Sequence, residues 1–150
     1  MKAQGIVVAA GEGVRFKGDT PKPFVLLNGE PLIVHSLRAL AQSRSLESLI
    51  VVANPQFLQR MQAVIEEFGC EKVRCIVPGG KTRRESVGRG LMSLDDDTRV
   101  VAVHDGARPL ISPEEVSGVV EAAGRCSAAI LAVRVKPTIK VVDQKTMTVT

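Results

Sequence analysis

Short apolar runs recur along the chain at regular intervals: residues 4–10 (QGIVVAA), 46–53 (LESLIVVA), 73–77 (VRCIV), 99–104 (RVVAVH) and 128–133 (AAILAV). They are rich in β-branched residues and nearly continuous rather than alternating, the pattern of a strand covered on both faces. Helical spacing fills the intervals. Residues 31–41 place Leu32, Ile33, Leu37 and Leu40 on one side, residues 55–68 place Leu58, Met61, Ile65 and Phe68, and residues 83–94 place Val87, Leu91 and Leu94. Residues 113–124 carry a strong start signal, with Ser112 as N-cap, Pro113 at the first helical position and Glu114 and Glu115 in the first turn. Strands alternating with helices predict an α/β fold with a mostly parallel twisted sheet and helices on both faces. Two stretches break the alternation. Residues 11–23 hold Gly11, Gly13, Gly18, Pro21 and Pro23 and read as a loop with at most one helical turn. Residues 138–143 (TIKVVD) and 146–150 (TMTVT), with Gln144 and Lys145 between, read as a strand pair or arm starting near residue 134.

Length and composition narrow the picture. The chain's 150 residues suit a single domain, residues 1–150, and 45% hydrophobic residues supply a core. Net charge is 20 − 16 = +4. It is spread evenly, without a basic arm, and the chain has four Phe but no Trp or Tyr. A module that coats nucleic acid with charge, or stacks bases on aromatic rings, is poorly supplied by this composition, so no nucleic-acid partner is expected. The mild excess of positive charge fits a small anionic ligand. Cys70, Cys75 and Cys126 form no C-x-x-C pair, and reduced cysteines in a cytoplasmic protein are the expectation. The first apolar run is too short for a signal peptide or a membrane span.

Ligands of parallel α/β sheets sit at the carboxyl ends of the strands. Nine of the 20 basic residues fall in or near the loops leaving those ends: Arg15, Lys17, Lys22, Lys81, Arg83, Arg84, Arg108, Lys136 and Lys140. Common phosphate motifs do not fit. A dinucleotide fingerprint fails because Phe16 takes the third glycine's place. A Walker loop from Gly13 to Gly18 fails because Asp19 stands where lysine is needed. His35 reads as structural, and His104, at a strand end, has no nucleophilic partner. What remains is a constellation. Ala9-Ala10-Gly11-Glu12-Gly13-Val14-Arg15 offers backbone N–H groups and a guanidinium fork to phosphates. Lys22 is held between Pro21 and Pro23. Gly79-Gly80 precedes Arg83 and Ser86 at a helix start, and Asp105 ends a strand where a carboxylate beside phosphates suits Mg2+.

These segments, A-A-G-x-G-x-R, T-P-K, G-G-x-x-R-x-x-S-V (residues 79–87), V-H-D-x-A-R-P (residues 103–109) and T-I-K (residues 138–140), resemble the 2-C-methyl-D-erythritol 4-phosphate cytidylyltransferases in kind and order. The resemblance implies a Rossmann-like nucleotidyltransferase fold with a protruding β-arm beginning in residues 134–150. It implies a homodimer formed through that arm, and transfer of CMP from CTP to methylerythritol phosphate with Mg2+ and release of pyrophosphate. By the same resemblance Ala9, Ala10, Gly11 and Gly13 line the nucleotide, and Arg15 and Lys22 act in catalysis on its phosphates. Gly80, Arg83 and Ser86 belong to the nucleotide-binding loop near the cytosine, Asp105 holds the metal, and Thr138 and Lys140 meet the acceptor.

A phosphate monoester is already an anionic nucleophile near neutral pH, so a site built of Arg, Lys and one carboxylate needs no His or Cys base. The sequence departs from the family at Pro23, where Gln is usual, at Phe16, where Met is common, and at Pro137, where Asp is usual. The family's later part supplies a further arginine, acidic ligand and lysine, so the chain is expected to be a partial one. Two alternatives stay open at this point: ribitol 5-phosphate as acceptor, and a fragment that binds nucleotide without turning it over.

Overall fold

Four of the predicted apolar runs, when paired, place their side chains alternately on two covered faces, and this sets the architecture. The computed structural model describes residues 1–11, 20–134, 142 and 145–146. Strands β1 (Ala3–Ala9), β4 (Ser48–Ala53), β5 (Val73–Pro78) and β6 (Val100–Asp105) form one sheet in the order β5-β4-β1-β6. All three pairings are parallel, with Ala9 opposite Ala53 and Val8 opposite Asp105. A separate two-stranded hairpin joins β2 (Leu26–Leu27) to β3 (Glu30–Pro31). Its two-residue turn has Asn28 at φ 52° and Gly29 at φ 82°, the positive angles that a tight Asn-Gly hairpin demands.

Helices cover both faces, as expected. Helices α1 (Leu32–Gln42), α2 (Leu58–Glu67) and α4 (Pro113–Cys126) bury Ile33, Leu37, Met61 and Val116 together with Val7 and Val51 of the sheet. Helix α3 (Arg83–Leu91) lies over the opposite face, where Ile6, Ile50 and Val52 form the core. It packs closely because Gly90 has no side chain: a Cβ there would stand 2.6 Å from the Ile6 side chain. Helix α4 starts on the predicted capping box, in which the Ser112 hydroxyl accepts from Glu115 N and the Glu115 carboxylate accepts from Ser112 N. Buried Gln4 is fully engaged by Ser48, Asp95 and Thr98.

The expected strand at residues 128–133 is not formed. Helix α4 ends on Ser127 at φ 68°, and residues 128–134 carry no helix or strand. Ile130 and Val133 are 87% and 91% exposed. Among the described residues, β6 pairs with β1 on one edge and with nothing on the other, so the run at 128–133 leaves an open ladder unused. The expected strands at 138–143 and 146–150 lie almost wholly outside the described residues, with Val142 at an isolated bridge and Lys145 and Thr146 in a turn. No helix among the described residues is long and apolar enough to cross a membrane.

Candidate active site

Strand order places the site. From β1 the chain moves to β4 and β5 on one side, then crosses back to β6 on the other. The direction reverses between β1 and β6, and a crevice outside their carboxyl ends is where ligands of such sheets bind. Four strand ends meet there: Ala9, Ala53, Pro78 and Asp105.

The β1 end is small and tightly surrounded. Ala9, Gly11, Pro21 and Pro23 line one small cavity with Phe24 and Asn54, which brings the segment carrying Lys22 beside the end of β1. Lys22 is exposed and opens a single 3-10 turn, Lys22–Phe24, pinned from below by buried Pro23 and Phe24. Phe24 meets Phe57 edge to face with ring centroids 6.0 Å apart, and the Arg60 guanidinium lies 4.4 Å from its centroid. The lysine therefore projects from a backbone fixed by proline and by the core. Gly13 and Arg15 lie outside the described residues, as do Thr138 and Lys140.

The loop from β5 to α3 is built by its own side chains. Thr82 caps α3, its hydroxyl accepting from Glu85 N. The Glu85 carboxylate accepts from Lys81 N at 2.9 Å, one residue earlier than a reciprocal capping box would place it. Ser86 is 2% exposed. Its hydroxyl donates to Thr82 O at 3.0 Å and accepts from Gly80 N at 3.1 Å, so it shapes the loop from inside. Both glycines are required by space. A Cβ on Gly79 would stand 2.1 Å from the Ala10 Cβ, and one on Gly80 would stand 2.4 Å from the Glu85 Cβ. Gly79 thus abuts Ala10, joining two predicted nucleotide-binding segments.

Asp105 ties this loop to β6. Its Oδ1 accepts from Arg83 Nε and Nη2 at 3.1 and 3.0 Å, and its Oδ2 accepts from Arg108 Nε at 3.1 Å. One carboxylate between two guanidinium forks leaves a net positive cluster, suited to phosphate. His104 contacts Arg108 O through Nε2 at 3.1 Å, and burial pushes its pKa below the ordinary histidine value. It orients the 105–108 turn, as expected for a residue without a nucleophilic partner. His35 likewise contacts Leu27 O at 2.9 Å and steadies the hairpin.

Of the expected site residues, Ala9, Ala10, Gly11, Lys22, Gly80, Arg83, Ser86 and Asp105 all fall along this carboxyl edge. Sequence reading left out Glu85, Arg89 and the pairing of Arg108 with Asp105. The T-x-x-E spacing of Thr82 and Glu85 carried a signal; Arg89 carried none beyond its place three residues after Ser86.

Comparison with known proteins identifies the family and matches the fold. The family model for IspD, 2-C-methyl-D-erythritol 4-phosphate cytidylyltransferase, matches residues 4–150. A protein of that name from Pelotomaculum thermopropionicum is 44% identical over 140 residues, covering 93% of this chain and 59% of its own length. Another from Halalkalibacterium halodurans is 38% identical over 143 residues, covering 95% of this chain and 62% of its own. The crystal structure of a 4-diphosphocytidyl-2C-methyl-D-erythritol synthase from Anaerococcus prevotii superimposes with a TM-score of 0.84 at 26% identity, covering 99% of this chain and 61% of that one. The chain thus spans about three fifths of the length of these relatives. With the fold, the order of its motifs and the family model in agreement from residue 4 onward, the chain belongs to the 2-C-methyl-D-erythritol 4-phosphate cytidylyltransferase family.

Proposed function

We propose that this protein transfers CMP from CTP to 2-C-methyl-D-erythritol 4-phosphate, releasing pyrophosphate, as a step of non-mevalonate isoprenoid precursor synthesis. The observation that carries the reading is the family match across residues 4–150. The positive strand-end cluster around Asp105 supports it.

In this reading an oxygen of the acceptor phosphate attacks the α-phosphorus of CTP in line, the bond to the β-phosphate oxygen breaks, and pyrophosphate leaves with the bond's electrons. No proton has to be removed from the nucleophile, so catalysis rests on alignment and on neutralising charge. Ala9, Ala10, Gly11 and Gly13 let the nucleotide lie against backbone, and Arg15 and Lys22 hold the phosphates as charge builds at the transition state. Gly80, Arg83 and Ser86 form the wall beside the base, while Thr138 and Lys140 meet the acceptor.

Among the described residues no three His, Cys, Asp or Glu side chains cluster as a metal cage. Mg2+ does not need one, because it is commonly held by one or two carboxylates with substrate phosphates and water. Asp105 fits that role as the hard oxygen donor at the strand end, once an oxygen is released from Arg83 or Arg108. When bound, the ion supplies further neutralisation of phosphate charge. A homodimer through the arm in residues 134–150 and a cytoplasmic location complete the proposal.

The test is pyrophosphate release from CTP with methylerythritol phosphate, and with ribitol 5-phosphate for comparison. Release with the first acceptor only is expected. Release with ribitol 5-phosphate alone, or with neither acceptor in a protein of the relatives' full length, overturns the assignment. Lys22→Ala is expected to lower the rate about 10²–10³-fold, the usual effect of removing one transition-state charge contact, with an unchanged unfolding midpoint. A rate like that of the wild type would remove Lys22 from the phosphate site.

A further inference from the structure

The loop between β5 and α3 contains one peptide unit held at both ends from the same helix. Its N–H, on Gly80, donates to the Ser86 hydroxyl at 3.1 Å. Its carbonyl, on Gly79, accepts from Arg89 Nη1 at 2.8 Å. The same nitrogen also reaches Pro78 O at 3.1 Å. Ser86 and Arg89 are three residues apart on α3 and therefore neighbours on its surface. Gly79 is further fixed by its own N–H, which donates to Ala53 O at 2.8 Å.

A Gly-Gly peptide is the backbone unit least restrained by side chains, because neither residue carries a Cβ to resist rotation of the plane between them. Space forbids side chains at both positions, since the missing Cβ atoms would meet Ala10 and Glu85. The close packing that excludes restraining side chains thus leaves orientation to hydrogen bonds. A flip of this one plane would exchange the directions of a donor and an acceptor beside Ala10, altering the pattern offered to a base edge. It would leave the phosphate-binding groups at the end of β1 and at Lys22 where they are. The Ser86 hydroxyl holds the donor end, and the charged fork of Arg89 holds the acceptor end with the stronger kind of hydrogen bond.

We propose that Arg89 is a positioning residue for nucleotide recognition, locking the Gly79–Gly80 peptide plane so that affinity depends on the base. The proposal rests on the reading that this loop flanks the nucleotide base. Three affinities of the full chain separate the possibilities: CTP, UTP and inorganic tripolyphosphate, each by calorimetry, for the wild type, Arg89→Met and Arg89→Lys. Arg89→Met keeps the aliphatic stem and loses the fork. It is expected to weaken CTP about ten- to a hundredfold, in line with one charge-assisted hydrogen bond. The preference for CTP over UTP is expected to narrow, with tripolyphosphate changed less than twofold. Arg89→Lys, which retains a donor, is expected to recover part of the CTP affinity. Unchanged CTP affinity in Arg89→Met overturns the proposal, as does an equal loss for CTP and tripolyphosphate, which would mark a general loss of structure. Wild-type protein that holds CTP no better than tripolyphosphate would remove the base-recognition reading itself, and this proposal with it.

Discussion

Strands β1 and β6 lie side by side and read alike in sequence, GIVVA against VVAVH, yet their surroundings differ. Every residue of β1 from Ala3 to Val7 is buried, while no residue of β6 is, and Val103 is 42% exposed. β1 has a strand on each edge and helices on both faces. β6 has β1 on one edge, and beyond the other lies a groove of about 610 Å³ bounded by α4, Leu110 and the 129–131 segment. A continuous apolar run therefore states that a strand is suited to full cover, and the neighbours decide whether it receives it. The same contrast runs through the site. The groups nearest β1 are backbone and small residues, fixed by space, whereas the groups on the β6 side are exposed charges held by one another.

The contrast predicts unequal costs of truncation. Ile50→Ala, on β4 at 0% exposure, is expected to lose about 2–5 kcal/mol, the usual cost of an Ile cavity in a core. Val103→Ala on β6 is expected to lose less than about 1 kcal/mol, because little area leaves contact. Urea unfolding of the two variants checks this. Comparable losses would mean that β6 is covered in solution by something beyond the described residues, and the comparison would fail.

The loop near β1 offers the next test. Ser86→Ala leaves Gly80 N without its acceptor in a partly enclosed position and is expected to cost about 1–3 kcal/mol. By contrast, Asp105→Asn removes two surface pairs, to Arg83 and Arg108, whose side chains are 61% and 76% exposed. Exposed pairs are worth about 0–1 kcal/mol, so Asp105→Asn is expected to unfold near the wild-type midpoint. A larger loss in Asp105→Asn than in Ser86→Ala would reverse the ranking of the two sides.

The same division explains what sequence could and could not disclose. Periodicity located four strands and four helices because burial on a sheet face repeats at fixed spacing, and the S-P-E-E start of α4 formed the capping box it implied. It failed at residues 128–133, which form no strand although the outer edge of β6 is unpaired among the described residues: a pattern suited to a strand does not by itself place the segment in a ladder. The hairpin at Asn28-Gly29 went unread, although an Asn-Gly pair between Leu27 and Glu30 is a turn signal in its own right. Within the site, the glycines, Lys22 and Asp105 were legible as residue types placed after strands. The Arg89 contact was not, because a side chain reaching back from a helix to a loop carbonyl leaves no mark in spacing.

The smallest expected effect concerns His104, at the carboxyl end of β6. Burial lowers its pKa, and its contact with Arg108 O and the nearby Asp105 carboxylate only partly offset this. The folded protein therefore resists protonating a ring that the unfolded chain protonates near pH 6.5. Stability is unaffected above that value and falls as the pH drops from about 6.5 toward the lower folded pKa, because over that window the unfolded state binds more protons. Urea midpoints at pH 7.5 and 5.5 are expected to differ more for the wild type than for His104→Gln, which retains a hydrogen-bonding group and cannot titrate. If the two proteins lose equally, the ring is already solvated when folded, and the β6 end is more open than its half-buried position implies. If the wild type loses far more, β6 is as enclosed as β1, and its apparent edge is closed in solution.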